Sequence, residues 1–289
     1  MPKIILLPAT GTATDSSVFA SALAAARLFD GHLMVLHVRP DVRREIAAMA
    51  SADMGMATGL DSTISNMEAE ADTRERAAES TWRAFAAAHG IKLAERPCSS
   101  SVMTYEWLTE TGSAADWLAE YGRISDLVVV GRERQGGALS MDLMEAALME
   151  TGKPVLIAPD EAPNGLDGTV AIAWKNTKEA AGAITAALPF FRWSARVIVF
   201  TVDEDGEAKD KSHLRLVSSL RWHNPNVSLQ VLQRQGRSPV TVLLEAVSKA
   251  HCNLLVMGGY GHTRLREAVF GGFTRAVLEQ APVTVLMAH

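Results

Sequence analysis

Gly258-Gly259-Tyr260-Gly261 follows the aliphatic run Asn253 to Met257 directly, and Gly271-Gly272-Phe273-Thr274 comes soon after. A strand that ends in a glycine turn and enters a helix leaves backbone N–H groups unpaired, and such donors can face an anion. Gly258 and Gly261 let the chain turn and let a ligand approach the backbone, while Gly271 and Gly272 add a second set of amides. Two clusters of this kind suit a polyphosphate better than a single turn does. His262, Arg264 and Arg266 flank the loop, either adding positive charge near a phosphate or simply forming a polar helix entry.

Other chemistries leave no comparable trace. There is no G-x-S-x-G elbow, no Walker lysine motif and no paired carboxylates. The two cysteines, Cys98 and Cys252, lie far apart without Cys/His ligand spacing, so both read as reduced, partly buried thiols and no metal site is expected. His251-Cys252 reads as a buried strand start rather than a nucleophile. An efficient enzyme is not expected, because no general base is positioned. With 48% hydrophobic and 21% charged residues the chain has the composition of a folded globular protein. A net charge of -5 gives no basic footprint for nucleic acid or an anionic membrane. No apolar run reaches the roughly 20 residues of a bilayer span, and the short apolar start, Met1 to Pro8, lacks a basic lead-in or cleavage site. These features predict a cytoplasmic protein that binds neither nucleic acid nor membrane.

The elements that must position the glycine loop alternate along the chain. Lys3 to Leu7 and Leu33 to Val38 read as strands around a helix from Asp15 to Asp30. Then come a helix over Ile64 to His89, a strand at Ile91 to Arg96, a helix around Thr104 to Tyr121 and a strand at Asp126 to Val130. A helix near Ser140 to Glu150 and a strand at Pro154 to Ala158 close the first half. Continuous aliphatic runs of this kind fit strands buried on both faces of a parallel sheet. Pro159 to Gly168 has the composition of a linker. The order then recurs: strands at Thr169 to Trp174, Arg196 to Val202, Val227 to Gln233, Asn253 to Met257 and Pro282 to Met287. Helices at Thr177 to Leu188, near Lys209 to Trp222, Pro239 to Ala250 and Leu265 to Gln280 alternate with them.

The halves align directly. DLVVVGRERQGG from Asp126 matches NLLVMGGYGHTR from Asn253, and GKPVLIAP from Gly152 matches QAPVTVLMA from Gln280. The chain therefore divides into domains 1–158 and 169–289 joined by a linker at 159–168. The first domain carries an insertion between Arg39 and Met67 that reads as a loop or short exposed helix.

At this point the chain resembles a tandem universal stress protein. Gly258, Gly261 and Gly271 match the family's G-x2-G-x9-G-(S/T) pattern, and Pro282-Val283-Thr284-Val285-Leu286 matches its closing proline and apolar strand. The resemblance implies an α/β fold of two tandem Rossmann-like domains. Each would be a five-stranded parallel sheet of order 3-2-1-4-5 with helices on both faces and a nucleotide at the switch point. Carried over by position, Ala173, Trp174, Lys175 and Val202 would meet the adenosine. Met257, Gly258, Gly261, His262, Gly271, Gly272 and Phe273 would meet the phosphates. The ligand implied is ATP or a related adenine nucleotide, with or without Mg²⁺. The protein would then be a stress-response sensor or regulator. The family also dimerises through its closing edge strand, so either a homodimer or an intrachain pseudo-dimer, in which Pro154 to Ala158 pairs with Pro282 to Met287, is implied.

Two residues depart from the pattern in the second half. Lys175 stands where an Asp is usual, replacing an acceptor with a donor, and can be read as reaching a phosphate or as a solvated loop lysine. Gly272 replaces the Ser/Thr, losing a hydroxyl but keeping its N–H. In the first half Thr10 stands in the Asp position, only Gly131 remains of the loop, Arg134 takes the second glycine position and Gly136-Gly137 is displaced. No nucleotide site of the family's type is predicted there. Arg132 and Arg134 read as exposed loop arginines that could attract phosphate. The alternative for the whole chain is a nucleotide-independent interaction or scaffold protein whose glycine loop persists as packing.

Overall fold

The computed structural model describes residues 2–44, 46–47, 60–94, 96, 102–132, 134–135, 138–139, 141–203, 211–259 and 271–288. The first half runs β1 (Ile4–Pro8), α1 (Asp15–Phe29), β2 (His32–Arg39), α2 (Leu60–Ala88), β3 (Lys92–Leu93), β4 (Thr104–Thr111), α3 (Ala114–Ile124) and β5 (Leu127–Val130). A small hairpin, β6 (Arg134–Gln135) with β7 (Ala138–Leu139), precedes α4 (Asp142–Glu150) and β8 (Val155–Ile157). The second half runs β9 (Thr169–Ala173), α5 (Lys178–Phe191), β10 (Arg196–Asp203), α6 (Ser212–Leu220), β11 (Val227–Gln233), α7 (Pro239–Lys249), β12 (Cys252–Gly258), α8 (Gly272–Gln280) and β13 (Thr284–Ala288).

Both halves are α/β units of the predicted kind. The second has strand order β11-β10-β9-β12-β13, all parallel, which is 3-2-1-4-5 in its own numbering. The first follows the same order with one correction. Thr104–Thr111, predicted as the start of a helix, is the parallel strand next to β2, and the helix begins only at Ala114. Its sequence, TYEWLTET, alternates β-branched and aromatic residues with polar ones, which suits a strand with one wet face. The strand predicted at Ile91 to Arg96 is reduced to β3, a two-residue addition outside β4. The first half thus has a sixth strand in its sheet. The insertion predicted between Arg39 and Met67 is in part the opening of α2, which starts at Leu60; residues 48–59 lie outside the described residues.

The two sheets are one. β8 and β13 pair antiparallel, with Val285 opposite Ile157, Leu286 opposite Leu156 and Met287 opposite Val155, giving an 11-stranded sheet. Of the two arrangements the resemblance implied for the closing strands, this is the intrachain one. Each face of the sheet carries a core drawn from both halves. On one, Phe29 of α1 meets Phe190 of α5 edge to face at 5.0 Å; on the other, Leu156's neighbours Val155 and Ile157 pack with Val285 and Met287. The segment between Ala158 and Thr169 contains neither helix nor strand, and its Leu166 is buried against the first of these cores.

Cys252, at the start of β12, is buried, and burial pushes its thiol up to about 11, against a smaller opposing pull from Arg196. At pH 8 roughly one molecule in a thousand carries the thiolate there. A thiol reagent at that pH is expected to leave Cys252 unmodified in the native protein and to label it on addition of denaturant, read by peptide mass mapping. Rapid native labelling would contradict this burial. Cys98 lies outside the described residues.

Candidate functional site

The carboxyl ends of β9, β10 and β12 converge where an open α/β sheet changes direction. Ala173 is the Cα partner of Phe200 on one side and of Met257 on the other, so the predicted adenosine and phosphate sides do meet across adjacent strands. Val202 lies two residues beyond Phe200 on β10. Trp174 continues β9: its N–H donates to the Phe200 carbonyl at 2.8 Å and its indole Nε1–H to Ser212 Oγ at 3.0 Å. The half-buried ring therefore packs on the core beneath α6 and ties the end of β9 to the start of that helix. Lys175 is exposed beyond it.

Gly258 has a role the sequence did not reveal. A Cβ there would lie 2.5 Å from Ala180 N and 2.6 Å from the Glu179 carbonyl carbon, so the end of β12 rests on the backbone of the first turn of α5. Glycine is required by that packing, whatever ligand approaches. The turn it rests on is firmly built: Thr177 Oγ1 accepts from Ala180 N, and Glu179 is buried with Lys178 Nζ 3.7 Å from its carboxylate. Thr177→Ala is expected to lower stability by about 1 kcal/mol in denaturant titration, the usual worth of an N-cap. An unchanged midpoint would mean the cap is not used.

Gly271 and Gly272 are different. Among the described residues, nothing lies within 4 Å of a Cβ built at either position. Gly271 caps α8 without a side-chain hydrogen bond, and no acidic residue stands in the first turn. The helix predicted from Leu265 is described only from Gly272. Its opening amides are therefore uncovered by side chains of its own, the condition an incoming anion needs. Phe273 is partly exposed beside them. Gly261 and His262, with Arg264 and Arg266, lie outside the described residues.

The first half builds its corresponding corner with other residues. Asp15, in the first turn of α1, is buried, and its carboxylate accepts from Thr10 N at 2.9 Å, Thr10 Oγ1 at 2.8 Å and Gly11 N at 2.8 Å. Burial raises its pKa in spite of these bonds. Thr10, Thr12 and Thr14 run hydroxyl to hydroxyl at 2.7 and 2.8 Å along the wall of a cleft of about 1120 Å³. The carboxylate that the family pattern places at the tip of β1 thus enters five residues later, where it holds the loop. Glu179 is its counterpart in α5. An acid in the first turn of a helix that follows a strand was the signal available.

Arg132 corrects the sequence reading. It is 4% exposed, not a solvated loop arginine, and it donates from Nη1 to the Ala281 carbonyl at 2.6 Å and from Nη2 to the Val283 carbonyl at 3.5 Å. Its charge holds the segment entering β13 of the other half instead of awaiting a phosphate. The side chain of Arg134, with Gly136 and Gly137, lies outside the described residues. Among the described residues no three His, Cys, Asp or Glu side chains converge as a metal site, and no helix is long and apolar enough to cross a membrane.

Residues 169–289 match the family model described as the universal stress protein family. The similarity to that family is carried by the second half of the chain. Among curated proteins, none matches the chain by sequence. Solved structures show where the first half stands. A universal stress protein from Archaeoglobus fulgidus DSM 4304 is similar over 99% of this chain and 95% of its own, with a TM-score of 0.69 at 17% identity. A functionally unknown protein from Pseudomonas aeruginosa PAO1 covers 99% and 92%, with a TM-score of 0.58 at 15% identity. At those identities the likeness is one of fold. The shared fold spans both halves in tandem, whereas the family model begins at residue 169.

Proposed function

We propose that this tandem universal stress protein is a cytoplasmic regulator that binds ATP or a related adenine nucleotide in its second domain, 169–289. Domain 1–158 and the linker 159–168 would carry no such site. The observation that carries the reading is the start of α8, where no described residue lies within 4 Å of a Cβ at Gly271 or Gly272 and no acid stands in the first turn. The exposed Lys175 at the tip of β9 supports it, since an ammonium there suits a phosphate where it would not suit a ribose hydroxyl's need for an acceptor. In the first domain the arginine after the strand is already engaged with the Ala281 and Val283 carbonyls.

Calorimetry with ATP, with and without Mg²⁺, and extraction of nucleotide from purified protein test the reading. Gly272→Asp sharpens the test: an acid at the start of α8 favours the helix but repels phosphate, so affinity is expected to fall at least tenfold with stability unchanged. Lys175→Asp is expected to weaken binding as well. Absence of both heat and retained nucleotide in the wild type would remove the proposal. A nucleotide-independent interaction protein is then the better reading, and one observation favours it: packing on α5 alone accounts for Gly258. Slow ATP turnover that disappears in Gly272→Asp would place weak hydrolysis at the same site.

A further inference from the structure

The two ends of the 11-stranded sheet are not alike. At one end β4 carries Glu106 and Glu110, and β3 covers its first two residues. At the other end β11 is, among the described residues, the outermost strand, paired only with β10. Its sequence, VSLQVLQ, has no charge, no proline and no glycine over seven residues. A long neutral edge of this kind is a ready template for another strand, and monomeric proteins ordinarily guard against it with the charges that β4 has. Apolar side chains are exposed beside it. Val231 on the strand is 41% exposed, Leu214 near the start of α6 is 50% exposed, and Trp222, just past the end of α6, is 90% exposed.

We propose that β11 is a dimerisation edge whose partner is β11 of a second copy of this chain, paired antiparallel about a two-fold axis at Gln230. The strand is self-complementary in that register. Leu229 falls opposite Val231 on the face covered by α6, and Ser228 opposite Leu232 on the other. The first charge after the strand, Arg234, falls opposite Asn226, so no like charges meet. Antiparallel pairing also sets the two copies of α6 side by side in opposite directions. Trp222 of each then lies toward Leu214 of the other, which accounts for two exposed apolar residues at opposite ends of one short helix. The interface is isologous and therefore closed at two chains. It differs from the β8–β13 seam, which is already filled within the chain.

Multi-angle light scattering is expected to give twice the chain mass. Val231→Lys should return the protein to one chain mass with unchanged circular dichroism and melting temperature, because the site is exposed and the new charges face apolar residues only across the axis. Gln230→Cys places two thiols on the axis with Cα atoms about 4.5–5.5 Å apart, within disulfide range, and should cross-link under mild oxidation, located by peptide mapping. Ser228→Cys places its two copies about 14 Å apart in this register and should not self-link. A wild type of single-chain mass, or one that grows open-ended with concentration, overturns the proposal. So does a dimer that survives Val231→Lys, or a cross-link through Ser228→Cys in place of Gln230→Cys.

Discussion

Gly258→Ala is expected to destabilise the protein by about 3 kcal/mol, at the upper end of overpacking costs. The new Cβ would stand 2.5–2.9 Å from the backbone of Glu179 and Ala180, and backbone in the first turn of a helix has no rotamer to retreat into. The matching substitution in the first half, Gly131→Ala, meets Val18 Cγ2 at 2.8 Å and Thr14 Cβ at 3.3 Å. Side-chain ends can shift, so about 1 kcal/mol is expected there. Urea titration of both variants makes the comparison. Equal costs would show that α5 is free to move off β12, and the packing account of Gly258 would then be wrong.

Arg132→Ala is expected to cost about 2–3 kcal/mol. It removes charge-assisted hydrogen bonds to the Ala281 and Val283 carbonyls and leaves those acceptors unsatisfied where the two halves meet. Arg132→Lys should recover little of this, because a single ammonium cannot span two carbonyls in the geometry of a guanidinium fork. Since the bonds cross from one half to the other, the loss should appear as an earlier or less cooperative unfolding transition. Full rescue by lysine would mean that the charge alone matters, and an unaltered curve that the contact is not formed in solution.

The alternation of strands and helices and the repeat of that order in the two halves were legible in the residues, because buried parallel strands are written as aliphatic runs such as Leu127–Val130 and Leu254–Met257; the joining of the two closing strands was one of two arrangements that only the family resemblance implied. Thr104–Thr111 was not legible. Its alternating pattern is that of a strand with one wet face, while the Ala-rich stretch after it has helical spacing, so that the two together read as one helix. At the site, glycine spacing located the corner but not the separate duties of its members. Gly258 and Gly272 look equivalent as letters, yet one is pressed against a helix backbone and the other has no described residue within reach of a Cβ. Arg132 was illegible for a related reason: its partners, Ala281 and Val283, are carbonyls that any residue type would supply.

The antiparallel seam between Val155–Ile157 and Val285–Met287 has an arithmetical consequence. In a symmetric pair of identical chains, every substitution is made twice, and a site lost from one copy is lost from both. Here the same arrangement is written out in one chain, so each residue occurs once per pair. Thr10 can replace an acid and Arg132 can be drawn into the seam without touching Lys175 or Gly271. The saturating stoichiometry of a bound nucleotide is accordingly expected to be one per chain, half the number of the domains that frame it.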